Sequence, residues 1–164
     1  MLSSMGGAGT LVMAGYRPIA GEGWSLAVPS SWSDVDPAPD GASWAAFDSA
    51  WIAGGFAANA NLVMEPFDGS ALEYARVSVQ GLLRKPRRDP ESAGAICVMS
   101  KRGVEAEIVW RRGNVLYRTI QRFEATGTGT GYVLTCAAAE EGFDSVRPVC
   151  EAVLRSFRIA HVMH

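Results

Sequence analysis

The stretch GVEAEIVWRRGNVLYRTIQRF, Gly103 to Phe123, constrains the fold more than any other part of the chain. Apolar and polar residues alternate on both sides of a short polar break, which is the pattern of a β-hairpin. A two-residue loop at Arg112-Gly113 predicts Trp110 opposite Val115, Ile108 opposite Tyr117 and Ala106 opposite Thr119. It also sets Glu107 against Arg118 and Val109 against Leu116, on a side that carries Glu105, Arg111 and Arg122. One face is mostly apolar and the other largely charged. A one-residue slip would send the charges into the core, so the faces are firmly specified.

The rest of the chain builds around that hairpin. YRPIAGEGWSLAVPSSW reads as two short strands about a Gly turn, closed by Pro29, and SDVDPAPDGAS reads as a Pro/Asp loop. NANLVMEPF is a further strand that Pro66 is expected to end. Ser70 with Glu73 forms a capping box for a helix from Ser70 to Leu83, whose apolar positions are Leu72, Ala75, Val79 and Leu82. RKPRRDPES is a basic loop, and EATGTGTGYVLTCA is a turn and a strand. Asp144 is the expected cap of a last helix, with Val146, Val149, Val153, Leu154 and Phe157 as its buried stripe. The order of elements predicts an α+β fold, with a mainly antiparallel β-sheet packed with two principal helices.

At 164 residues the length suits one domain: a loose leader at 1–15, the domain at 16–160 and a tail at 161–164. The formal net charge of −2 lacks the broad positive field that non-specific nucleic-acid binding needs. No apolar run approaches the roughly 18–20 residues of a membrane span, so stable membrane insertion is not expected. The leader has no Lys or Arg before Arg17 and no long apolar run, which argues against an export signal and for a cytoplasmic protein. A misassigned start codon would hide such a signal and make the protein periplasmic.

Candidate chemical groups reduce to structural roles. Cys97, Cys136 and Cys150 have no metal-ligand spacing. Cys136 near a strand end and Cys150 within a helix differ in height by roughly 6 Å, so a bridge needs a favourable tilt and buried free thiols are the better reading. The glycines of GTGTG, Gly127 to Gly131, run from strand to strand rather than into a helix, so they suit a hairpin loop and not a phosphate cradle. His161 and His164 sit at the chain end, where catalysis and firm metal binding are disfavoured. Glu105 and Glu107 fit a cross-strand ion network with Arg118 and its neighbours better than an acid–base pair. Arg84, Lys85, Arg87 and Arg88 read as a solvated basic loop. Trp32 and Trp44 flank the Pro/Asp loop and are candidates to line a groove. No catalytic residue, metal ligand or cofactor is expected.

Three stretches together resemble one family: GWSLAVPSSW, ANANLVMEPFDGSALEYA and YVLTCAAAEEGFDSVRPVCEAVLRSFRI. They are similar to the opening Pro-x-x-Trp element, the Asn-rich strand with its helix start, and the terminal strand and helix of the DcrB-like family of the PsbP-like fold. The resemblance covers most of Gly23 to Ile159 and implies an α/β/α sandwich with no shared catalytic residue. Members include exported lipoproteins, and cytoplasmic chaperones that shield apolar helices of type VI secretion effectors. The expected function is therefore a non-enzymatic chaperone or adaptor for such helices. An envelope protein of the same fold comes next, and a small hydrolase third. The expected partner surface comprises Trp32, Trp44, Glu105, Glu107, Arg118 and Arg122, with the two arginines offered to a client helix's carbonyls. Enclosing a helix of ~20 residues takes more than one modest sheet, so a homodimer is expected.

Overall fold

The computed structural model describes residues 13–53, 55–83, 89–92, 98–100 and 103–160. Expectations for residues 1–12, for Arg84, Lys85, Arg87 and Arg88, and for Cys97, His161 and His164 lie outside the described residues. Among those described, the strands are β1 (Tyr16–Gly21), β2 (Trp24–Pro29), β3 (Ser33–Asp34), β4 (Trp44–Ala53), β5 (Phe56–Phe67), β6 (Asp89–Ser92), β7 (Val98–Ser100), β8 (Gly103–Arg112), β9 (Val115–Ala125), β10 (Gly129–Ala139) and β11 (Arg158–Ile159). The helices are α1 (Ala71–Leu83) and α2 (Phe143–Ser156).

The large sheet runs β3-β4-β5-β10-β9-β8-β6, with β7 also on β8, and a small sheet runs β1-β2-β11. The pairings are antiparallel. Alternation along each strand gives the large sheet two different faces. Ala60 and Leu62 of β5, with Leu134, Cys136 and Ala138 of β10, join α2 and the small sheet in one core. Phe123, Val133, Ile108 and Trp110 point the other way and join Tyr74, Ala75 and Val79 of α1 in a second core. The expected α+β architecture with helices on both sides of an antiparallel sheet is what the chain adopts.

Local expectations fare unevenly. The capping box is present: Ser70 N–H donates to Glu73 at 2.7 Å and Glu73 N–H donates to Ser70 Oγ at 3.2 Å. The hairpin loop, however, is Gly113-Asn114 and not Arg112-Gly113. Gly113 has φ 60° and among the described residues no non-glycine has a positive φ, so only the first loop position has a positive φ, as a type II′ turn requires. The register moves by two residues: Trp110 lies opposite Tyr117, Ile108 opposite Thr119 and Val109 opposite Arg118. A two-residue shift preserves the faces, so Trp110 and Glu107 still point to opposite sides.

Two other boundaries also differ. Pro66 does not end its strand, because β5 continues to Phe67. By that point β4 no longer pairs with β5, and an edge tolerates a missing N–H. Asp144 is not the cap of α2. Gly142, at φ 74°, holds that place without a side-chain bond, and Asp144 sits in the first turn.

Candidate binding groove

The residues expected to form a partner surface are largely committed inside the protein. Trp32 is 3% exposed and Trp44 8%, both packed in the core that α2 shares. Trp44 Nε1 donates to Asp34 at 3.3 Å, and Arg17 grips the same carboxylate at 2.7 Å. The two tryptophans are therefore core residues, as large apolar side chains commonly are.

The charged hairpin face carries the expected ion network, turned towards α2. Arg118 takes Glu140 with two bonds, at 2.7 and 2.5 Å, and also donates to Glu107. Arg147 of α2 reaches Glu107 at 2.7 and 3.2 Å. The Arg147 bonds, followed by those from Arg118, hold the Glu107 carboxyl below its usual range. Both guanidinium groups lie over the Phe143 ring, at 5.5 and 5.1 Å. Glu105 lies opposite Arg122, whose guanidinium goes instead to Glu124 at 2.6 Å and to the Leu154 carbonyl at 2.8 Å. Arg122 does meet the end of a helix, but the helix is α2 of its own chain.

The opposite face of the sheet is less completely filled. α1 covers the cross-strand row Val63–Val133–Phe123, an apolar level of the sheet. The next row is Asn61–Thr135–Gln121, and the one after it is Asn59–Ala137–Thr119. Over these rows lies a groove of about 480 Å³. Val77, Ser78 and Gly81 form its helix wall, at the spacing that puts them on one side of α1. Phe56 and Tyr117, stacked with centroids 5.0 Å apart, stand at another wall. The space exists because Ser78 and Gly81 are small: a Cβ built on Gly81 meets nothing within 4 Å.

The floor is polar and uncharged. Gln121, 7% exposed, donates to Thr135 Oγ1 at 3.2 Å, while its amide oxygen is buried without a partner. Asn59 uses its amide on the Ala57 carbonyl at 2.9 Å, and Trp110 Nε1 donates to Thr119 at 3.0 Å. Glu65 is the one charged residue among the described residues of the lining, and it accepts the Tyr74 hydroxyl at 2.6 Å. Burial, and then that carboxylate, push the Tyr74 phenol well above its ordinary value. No short motif marks this floor in the sequence. Its signal was nonetheless present: hairpin alternation puts Thr119 and Gln121 on the apolar face, where a polar side chain calls for a partner.

No known family and no curated protein sequence matches the chain. Solved structures do. CyanoP, the PsbP of the cyanobacterium Synechocystis, has a TM-score of 0.58 at 16% identity, covering 94% of this chain and 98% of its own. The fold is PsbP-like. LpqN of Mycobacterium tuberculosis aligns with a TM-score of 0.62 at 10% identity, over 88% of this chain and 85% of its own. A mutant of the protein Mog1 aligns at 0.55 and 11% identity, over 90% and 97%. At such identities the likeness carries the PsbP-like fold and no residue roles. Among the described residues, no helix is long and apolar enough to cross a membrane.

Proposed function

We propose that this chain is a non-enzymatic binding protein that receives an uncharged group in the groove beside α1. The observation that carries this reading is the row Asn61–Thr135–Gln121, which floors a partly filled groove and holds a buried amide oxygen without a partner. Carboxamides and hydroxyls supply both donors and acceptors, and Phe56 and Tyr117 supply a flat apolar wall. Among the described lining residues there is no Lys, Arg, His or Cys, and the polar groups of the floor are neutral amides and hydroxyls. The matching ligand is neutral, hydrogen-bonding on one side and apolar on the other.

Within this reading stands the narrower one that the family resemblance implies: a cytoplasmic helper for apolar helices of type VI secretion effectors, dimeric because one modest sheet is too small to enclose such a helix. Its docking surface is then this groove, because Trp32 and Trp44 are core and the charged face is occupied by α2. An envelope protein with its own small ligand is the second reading, favoured by the likeness to LpqN, which is described as involved in cell envelope biogenesis.

The test is calorimetric titration with a monosaccharide, a nucleoside, an N-acetylated dipeptide amide and a synthetic apolar helix from an effector encoded nearby. The control is Gly81→Trp, which fills the groove from a helix position with room for a side chain. Saturable binding of a neutral probe that Gly81→Trp abolishes supports the proposal, and the probe that binds selects between the narrower readings. Binding of none, or binding that Gly81→Trp leaves intact, counts against it.

A further inference from the structure

Cys136 lies in β10 and Cys150 in α2, and their sulfurs are 2.7 Å apart with both residues fully buried. The tilt that sequence geometry required is therefore present: the helix crosses β10 where the two side chains meet. Both thiols are free, and their surroundings are the apolar core shared by Leu134, Val146 and Val153. Among the described residues no group of three metal ligands occurs. A helix-borne thiol set against a strand-borne thiol, away from metal ligands and from solvent, has one chemistry open to it, which is pairing with its neighbour.

We propose that Cys136 and Cys150 form an intramolecular disulfide, closed as the chain folds in oxidising surroundings, that ties α2 to β10. The oxidant is a small disulfide of the glutathione class. One cysteine thiolate attacks that disulfide, forming a mixed disulfide and releasing one small thiol. The second cysteine thiolate then attacks the protein sulfur of the mixed disulfide and releases the other small thiol. Two protein thiols are oxidised, one small disulfide is reduced to two thiols, and the two protons pass to the released thiolates. Because neither sulfur is exposed, the oxidant reaches them only while α2 is off the sheet. The bridge is thus set during folding and does not switch in the folded protein.

The experiment uses the full chain with Cys97→Ser, which leaves only this pair. Reduced, unfolded protein is refolded in a glutathione redox buffer, and already folded, reduced protein is placed in the same buffer. Refolding should remove two hydrogens from the intact mass and leave no thiol titratable in denaturant. The Tm should rise by about 6–12 °C over the reduced form, from the constraint on so short a loop. The folded sample should close at least about tenfold more slowly, faster with added denaturant. Refolded protein that keeps both thiols, links only between chains, or melts lower when bridged overturns the disulfide. Equal closure rates for folded and refolding samples overturn its assignment to folding.

Discussion

Arg122 Nη1 donates to the carbonyl oxygen of Leu154 at 2.8 Å, which bonds β9 to the last turns of α2. The last carbonyls of a helix carry partial negative charge; Leu154 O also accepts Phe157 N–H at 3.3 Å, so the cation adds a second, charged bond there and opposes the helix dipole. The same guanidinium holds Glu124 at 3.0 and 2.6 Å and is only 12% exposed. Arg122→Met keeps the apolar stem and removes these bonds, so it should lower unfolding free energy in urea by about 1.5–3 kcal/mol. Arg155→Met, whose bond to Glu151 is half-exposed, should change it by less than about 0.5 kcal/mol. Equal effects from the two variants would show that the Arg122 bond does not hold the helix.

Two glycines near α1 should respond in opposite directions to the same methyl group. A Cβ on Gly131 falls 2.9 Å from the Tyr74 ring and 3.0 Å from Phe67 Cβ, and those two rings already pack tilted against each other with centroids 4.8 Å apart. Gly131→Ala therefore overpacks the α1 core and should cost about 1–3 kcal/mol. Gly81 has open space in its place, so Gly81→Ala should be stabilising by up to about 1 kcal/mol through helix propensity alone. Thermal unfolding of the two variants checks both signs.

What the sequence made legible follows from which physical rule was local. The capping box at Ser70 and Glu73 is a four-residue device, and it stands where it was read. The faces of the hairpin follow from parity alone, and a two-residue register shift cannot disturb them. The register itself depends on which loop position tolerates φ > 0, and Arg112-Gly113-Asn114 offers two frames that composition does not separate. Strand β4, WAAFDSAWIA, was passed over because its alanines give alternation little contrast. Trp32 and Trp44 read as groove residues because a polar loop lies next to them in sequence, whereas in space they belong to the core that α2 shares. The groove was invisible for the converse reason: its floor combines residues from β5, β9 and β10 that only the sheet brings level.

Glu107 gives a pH dependence with a definite sign. Arg147 and Arg118 hold its folded carboxyl below the unfolded value, so its contribution is present above the ordinary carboxylate pKa. That contribution is lost as pH falls below the unfolded value and through the lowered folded one. Glu107→Gln should therefore be less stable than the parent at pH 7, with the gap in urea midpoint closing towards pH 3. A gap that stays constant across that range would mean the carboxylate charge contributes nothing.

Gln121 offers the sharpest separation of structure from binding. Its amide oxygen is buried without a partner, a cost of about 1–3 kcal/mol, against about 0.5–1.5 kcal/mol from the 3.2 Å bond to Thr135. Gln121→Met has nearly the same shape and removes both terms. Thr135, half-buried at the groove, can exchange its lost bond for water. The variant should melt higher than the parent, and it should lose affinity for whichever neutral probe the groove accepts. Residues kept for binding at the expense of stability show this opposition. A variant that melts lower and binds unchanged would assign Gln121 to the architecture of the sheet, with its oxygen satisfied by water, and would remove the central support for the groove as the binding site.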